Sequence, residues 1–531
     1  MNSLWLIVFA IAAMLLGYRF YGNFVAKRLG VDPKRPTPAH TMNDGVDYVP
    51  AKAPVLLGHH FASIAGASPI IGPVLAAVYG WVPVVLWILV GGIFMGAVHD
   101  FSALIASVRH QGRSIGEVIE ERVGRDGKRL FLAFSFFALI LVMSAFMIIV
   151  SKTFADNPSA GSSSILFIFL ALVFGVIIKR TGVSLSVASI IGVGLLFLCV
   201  YLGLKFPVTL STNTWLWLLV IYIFAAATSP VWLLLQPRDY LNSFLLYALM
   251  IGAVVGIIVA RPDINFAGYA GFDQEIGYLF PLLFVTVACG AISGFHSLVA
   301  SGTTSKQLNS EKDAKLIGYG GMLIECLLAV VAIITVAVLT KADYDTLISG
   351  GPVALFANGV GEFMSHLGIP QNTGKTFAAL AVSAFALTSL DTATRLCRFS
   401  FQEFFSPKTG KKSNVFLTNR YVGTAISIFI GAGLAFSGKW ELLWPLFGSA
   451  NQMLAALALL GVTVWLASRG IRFGFTLIPM IFMFLATISA LVILILKTFD
   501  QSQFVLMFFG IALLAVAMLV LILAVKRVSF K

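Results

Sequence analysis

Gly58-His59-His60-Phe61-Ala62-Ser63-Ile64-Ala65-Gly66-Ala67-Ser68-Pro69-Ile70-Ile71-Gly72-Pro73 is an apolar run with helix breakers at its centre. Proline removes a backbone donor, and its ring clashes with the preceding turn. Inside a bilayer such a defect survives only where protein buries it or where it lines a cavity. The stretch is therefore predicted to be a membrane-spanning helix interrupted near Gly66. A second apolar run carries a matching triplet, Thr228-Ser229-Pro230, followed by Val231-Trp232 and Leu235-Gln236-Pro237-Arg238-Asp239-Tyr240.

The rest of the chain supports a membrane setting. Of its 531 residues, 59% are apolar and 11% charged, and the mean hydropathy is +0.95. Soluble domains carry roughly 25% charged residues, so a soluble globular protein is excluded. Disorder needs the opposite composition. Long apolar runs, in place of short alternating ones, exclude an outer-membrane barrel. Fifteen spans are predicted, at 3–19, 60–79, 81–105, 130–150, 164–178, 184–204, 214–235, 243–260, 279–300, 317–340, 376–396, 420–436, 442–466, 473–496 and 503–525. Residues 351–367 read as a re-entrant or surface helix. Cys199, Cys289, Cys326 and Cys397 lie in apolar runs without metal or disulfide spacing and read as packing residues.

Basic residues orient the spans. With the N-terminus outside, the inner segments hold 29 Lys and Arg and the outer segments seven. That bias places the C-terminus in the cytoplasm. It also accounts for the net charge of +13 without a nucleic-acid partner. Arg19, Lys27 and Arg28 follow the first apolar run, and no basic residue precedes it, so it reads as a retained helix and not a secretory signal.

The two proline triplets sit in spans two and seven, which run in opposite directions. Broken helices at matching positions of oppositely oriented units point to an inverted repeat. The expected fold is an all-α polytopic membrane protein with a leucine-transporter-like core of five plus five helices and extra helices around it. The expected units are 1–57 (N-terminal helix and basic loop), 58–205 (first repeat), 206–400 (second repeat) and 401–531 (four C-terminal helices). Backbone groups freed at the breaks, with the positive end of a half-helix, suit a substrate carboxylate. Gly66, Ala67, Ser68, Thr228 and Ser229 are predicted to line one cavity, with Trp232 as an apolar wall.

Ionisable residues inside spans are costly and usually functional. His99 and Asp100 lie in span three, His296 in the Gly- and Ser-rich span nine, Glu325 in span ten and Asp391 in span eleven. These five are the candidates for ion coupling, with Asp100 the first choice. Glu325 and Asp391 are expected near enough to the inner surface to be hydrated. Arg395, one turn from Asp391, is expected to pair with it. His59 and His60 are adjacent, point to different faces and do not share a metal. If sodium is the coupling ion, the carbonyl of Ala65 and the hydroxyls of Ser297 and Ser301 are its ligands. Asn451-Gln452 falls at mid-depth in span thirteen.

At these residues the sequence resembles the carbon starvation protein A family of bacterial inner-membrane transporters. The resemblance runs through Gly58 to Pro73, Val98-His99-Asp100-Phe101, Thr228 to Tyr240, Gly290 to Leu308, Ser389 to Arg395 and Trp444 to Gln452. It implies uptake of peptides or pyruvate coupled to protons, with no cofactor. It carries over no settled set of substrate residues. Competing readings are a sodium-coupled transporter of the same fold, a channel or sensor, and an intramembrane serine protease using Ser293 with His296. No nucleotide-binding loop is present in the sequence, which leaves an ion gradient or facilitated diffusion as the driving force. Oligomeric state is not legible.

Overall fold

A computed structural model describes residues 2–45, 47–405, 416–437 and 440–527. Each of the fifteen predicted stretches contains helix there. Among the described residues, twelve helices are long and apolar enough to cross a membrane, and a thirteenth arises if the bent pair Ala53–Ile64 and Ser68–Tyr79 counts as one. The remaining two, Thr212–Thr228 and Arg420–Phe436, are apolar helices of 17 residues. Residues 351–367 contain a helix, Pro352–Ser365, whose Phe356, Val360 and Phe363 are buried.

Span two is broken where the sequence predicted. Its first half, Ala53–Ile64, ends at Ala65, whose φ of −77° and ψ of 58° leave the helical region. Its second half starts at Ser68, and the two axes bend by 43°. Pro69 falls in the first turn of this second half, where its missing N–H removes no helical hydrogen bond.

The second break lies elsewhere than expected. Thr228-Ser229-Pro230 does not interrupt a span; it ends one. The helix Thr212–Thr228 stops and the next, Leu235–Ala260, begins after a turn. The residue before a proline is pushed out of the helical region, and Ser229 is extended, with φ −76° and ψ 155°. The helix-breaking partner of span two is span nine. It runs as Leu279–Val287, a single turn at Ala288–Gly290, extended backbone at Ser293, and then Gly294–Val299 continuing to Gln307.

These two broken spans cross at their interruptions. A Cβ on Gly72 would stand 2.5 Å from the carbonyl oxygen of Thr286. Around the crossing, span four (Arg125–Asp156) and span eleven (Gln371–Phe405) are the two longest helices and form the most extensive pairing in the molecule. Spans four, nine, ten, eleven and thirteen are the interior, whereas spans one, six and fifteen are mostly exposed. Their outward residues, such as Phe9, Ile190 and Phe508, make the apolar belt expected against lipid.

The crossing gives the first prediction. Gly72→Ala drives a methyl group into backbone and should destabilise the purified protein by about 1–3 kcal/mol. Thermal unfolding in detergent reads this as a lower midpoint. Gly433→Ala, with no atom within 4 Å of its added Cβ, should leave the midpoint unchanged or higher. Equal midpoints for Gly72→Ala and the parent would contradict the close crossing.

Candidate functional site

The breaks expose backbone groups, and side chains from neighbouring spans take them up. Ser389 Oγ of span eleven donates to the Ser63 carbonyl at 3.0 Å. The Phe295 N–H, at the start of the second half of span nine, donates to Asn451 Oδ1 at 2.8 Å. Gln452 Nε2 donates to the Phe284 carbonyl at 2.6 Å, before that break. The Asn451-Gln452 pair singled out in span thirteen thus splints both sides of the interruption in span nine.

Four of the five predicted coupling residues meet beside this crossing. His296 Nδ1 lies 2.9 Å from Asp100 Oδ2, and His99 Nδ1 lies 2.7 Å from Asp100 Oδ1. On its other side, His296 Nε2 lies 3.3 Å from Glu325 Oε2. His99, Asp100 and His296 are thus hydrogen-bonded in series, and Glu325 lies at ion-pair distance from His296 without a hydrogen bond to it; the four come from spans three, nine and ten, and every member is buried. His60 extends the patch, its Nδ1 2.8 Å from Thr304 Oγ1. Glu325 is fully buried, against the expectation of hydration. The three spans each carry a π-helical turn close to the cluster, at Gly92–Gly96, Ala300–Thr304 and Lys315–Gly320. Such turns shift the angular position of the residues after them and are frequent at functional sites; span one carries another at Gly17–Tyr21, away from the cluster.

Asp391 belongs to a second cluster, which the sequence reading missed. Its Oδ2 pairs with Arg238 and accepts from the Tyr222 hydroxyl at 2.6 Å. Arg238 also donates to Asp239 Oδ1 at 2.8 Å, and Asp239 Oδ2 lies 2.8 Å from His59 Nδ1. Arg238, Asp239, Asp391 and His59 are all buried. Arg238 is one of the 29 basic residues assigned to the inner segments. The signal that could have found it is the adjacent Arg-Asp pair opening a long apolar run, where two charges entering a membrane helix need partners. Arg395 does not pair with Asp391. Its guanidinium donates to the carbonyls of Ala226 and Ser229 and faces Asp47 at 3.5 Å.

The predicted substrate residues separate into two levels. Gly66, Ala67 and Ser68 lie at the break, where a Cβ on Gly66 would meet Ser389 Oγ at 2.7 Å. Ser229 is reached by Arg395, six residues further along span eleven and so about 9 Å away along its axis. Thr228 Oγ1 donates to its own helix at Phe224, and the Trp232 ring carries the Lys179 ammonium at 3.7 Å. The helix end at Thr228 is what separates them from the break in span two. Of the sodium candidates, Ala65 sits at the break, while Ser297 and Ser301 donate to the carbonyls of Gly294 and Ser297 in their own helix. Ser293 and His296 do not pair: the hydroxyl goes to Asn451 and the imidazole to Asp100.

The sequence matches the family described as carbon starvation protein CstA over residues 2–350 and 345–490. A peptide transporter CstA of Campylobacter jejuni is 35% identical over 562 residues, covering 92% of this chain and 79% of that one. A pyruvate/proton symporter, BtsT, of Escherichia coli is 32% identical over 600 residues, covering 94% and 83%. Among solved structures, a manganese transporter of Eremococcus coleocola superposes with a TM-score of 0.56 at 11% identity, covering 92% of this chain and 99% of that one. At that identity the likeness is one of fold.

The second cluster yields a stability prediction. Removing one partner of a buried ion pair costs about 3–5 kcal/mol because the other charge stays buried. Asp391→Asn and Arg238→Gln should each lose folding stability on that scale. The double variant should lose clearly less than the sum of the two, as a double-mutant cycle by denaturant or thermal unfolding would read. Additive losses would mean that the two side chains do not act as a pair.

Proposed function

The chain belongs to the carbon starvation protein CstA family and is a membrane transporter, not an enzyme; from that premise we propose that it imports small carboxylate nutrients, peptides or pyruvate, by proton symport across the bacterial inner membrane. The observation that carries this reading is the buried cluster of His99, Asp100, His296 and Glu325 beside the crossing of two broken spans. A symporter needs a group that binds a proton on one side and releases it on the other. Two carboxylates flank one imidazole, Asp100 hydrogen-bonded to it and Glu325 3.3 Å from it, so a shift of spans three, nine and ten that closes the second gap passes a proton between them. The substrate carboxylate is placed at Ala67 and Ser68, where the second half of span two begins and its N-terminal dipole favours an anion. Proton coupling is preferred to sodium because the buried ionisable groups gather at the crossing, whereas Ser297 and Ser301 face their own helix.

The architecture fits an inverted repeat with different limits from 58–205 and 206–400. Span two matches span nine as broken helices, and span four matches span eleven as the longest. Spans seven and twelve have 17 residues each, and each is followed by a long helix, of 26 residues in span eight and 29 in span thirteen. The units proposed are 53–260 and 279–468, with spans five and six inserted as a hairpin in the first. Every matched pair is an odd number of crossings apart, so fifteen crossings with the N-terminus outside make all of them antiparallel.

Two tests follow. Purified protein in proteoliposomes should accumulate pyruvate or a dipeptide when a proton gradient is imposed. Asp100→Asn and Glu325→Gln should each abolish that accumulation, at least tenfold in rate, yet retain substrate exchange, which needs no net proton movement. Accumulation that follows sodium and ignores pH would refute proton symport. For orientation, an impermeant thiol reagent should label Thr346→Cys in intact cells and Lys312→Cys only after the membrane is opened. The reverse pattern would overturn both the orientation and the repeat.

A further inference from the structure

A cavity of about 1120 Å³ opens at the face predicted to be cytoplasmic. Ser301 of span nine and Leu396 of span eleven line it, and so do Arg113, Glu117 and Lys128 from the connection into span four. With Leu298 also in its wall, it reaches from that surface to within two residues of His296 along span nine. Five basic side chains line it against three acidic ones. The acidic ones are largely committed: Lys128 holds Glu117 at 2.7 Å, Glu120 at 2.8 Å and Glu403 at 3.6 Å.

Lys306 is different. Its ammonium sits 4.4 Å from the centre of the Phe399 ring and 5.3 Å from that of Tyr48. Among the described residues no carboxylate lies within ion-pair distance of it. Glu403, Asp47 and Asp44 act on it from further away. Glu403 is engaged by Lys128 and by Ser114 at 2.9 Å, and Asp47 faces Arg395. Aromatic faces hold a cation and shield it from water without neutralising it. A positive lining in a low-dielectric cleft raises the local concentration of anions.

We propose that Lys306 is a carboxylate-binding station in this cavity, taking the substrate's carboxylate between the His296 level and the cytoplasm. The proposal rests on the reading of the chain as a carboxylate transporter. The ligand class is a small carboxylate, free or at a peptide C-terminus. The ammonium supplies the charge-assisted hydrogen bond, and Tyr48 and Phe399 hold it facing the cavity.

The test uses the full-length protein in oriented proteoliposomes with pyruvate and a dipeptide. Lys306→Gln should raise the half-saturation concentration about tenfold when substrate is presented at the cavity face, and less than about twofold from the opposite face. Lys306→Arg, which keeps the charge, should stay within about threefold of the parent. No change, or an equal rise at both faces, would overturn the proposal. A second measurement does not depend on Lys306→Gln folding. Ser400→Cys puts a thiol in the cavity wall, and an anionic thiol reagent should modify it faster than a cationic one of the same size, with pyruvate slowing the reaction. A cationic preference, or indifference to pyruvate, would sink the proposal. If the parent moves neither substrate but the anionic preference holds, the transport reading fails and the anion site stands.

Discussion

A backbone that leaves the helix inside a hydrocarbon layer must find its hydrogen-bond partners in protein, and the rest of this molecule is arranged around that requirement. The Ser63 carbonyl takes the Ser389 hydroxyl, the Phe295 amide takes the Asn451 carboxamide, and the Phe284 carbonyl takes Gln452. Spans eleven and thirteen are therefore central because they carry the polar groups that complete spans two and nine. Once those four are fixed at the centre, the apolar helices with fewer obligations fall to the perimeter and meet lipid.

The completed crossing then sorts the buried charges. His59 and His60 are neighbours on one helix, about 100° apart around its axis, and each faces a different ionic cluster. His59 joins Asp239, Arg238 and Asp391; His60 lies beside His296 and Thr304. A buried charge is tolerated when a partner and hydrogen bonds surround it, and becomes costly when one of them leaves. The first half of span two is thus tied on two faces by interactions that favour one geometry. The π-turns at Gly92–Gly96, Ala300–Thr304 and Lys315–Gly320 are places where helices can adjust register without losing their ends.

Much of this was legible from local chemistry. Apolar runs gave the helices, Pro69 with Gly66 marked the first break, and the rarity of charge in membrane helices pointed to His99, Asp100, His296 and Glu325. Long-range pairing was not legible. Pro230 and Pro69 look alike in sequence, yet one ends a helix and the other opens a half-helix. What separates them is whether neighbouring spans satisfy the freed backbone, which a local pattern does not contain. The break in span nine has no proline at its centre and rests on Asn451 and Gln452, about 160 residues away. Arg238 falls among the inner basic residues in sequence, and its partners, Tyr222 and Asp391, come from other helices.

The two short helices have a consequence for the surrounding bilayer. Thr212–Thr228 and Arg420–Phe436 stand side by side with 17 residues each, a length of about 26 Å against a hydrocarbon layer of roughly 30 Å. Their deficits fall on one sector of the perimeter and do not average out around it. Phe429 and Ile221 project outward from that sector. A helix shorter than the layer is accommodated by thinner lipid, by flanking side chains that reach the interface or by association with a neighbour, and these two short helices pack against each other, so the mismatch is concentrated on one flank.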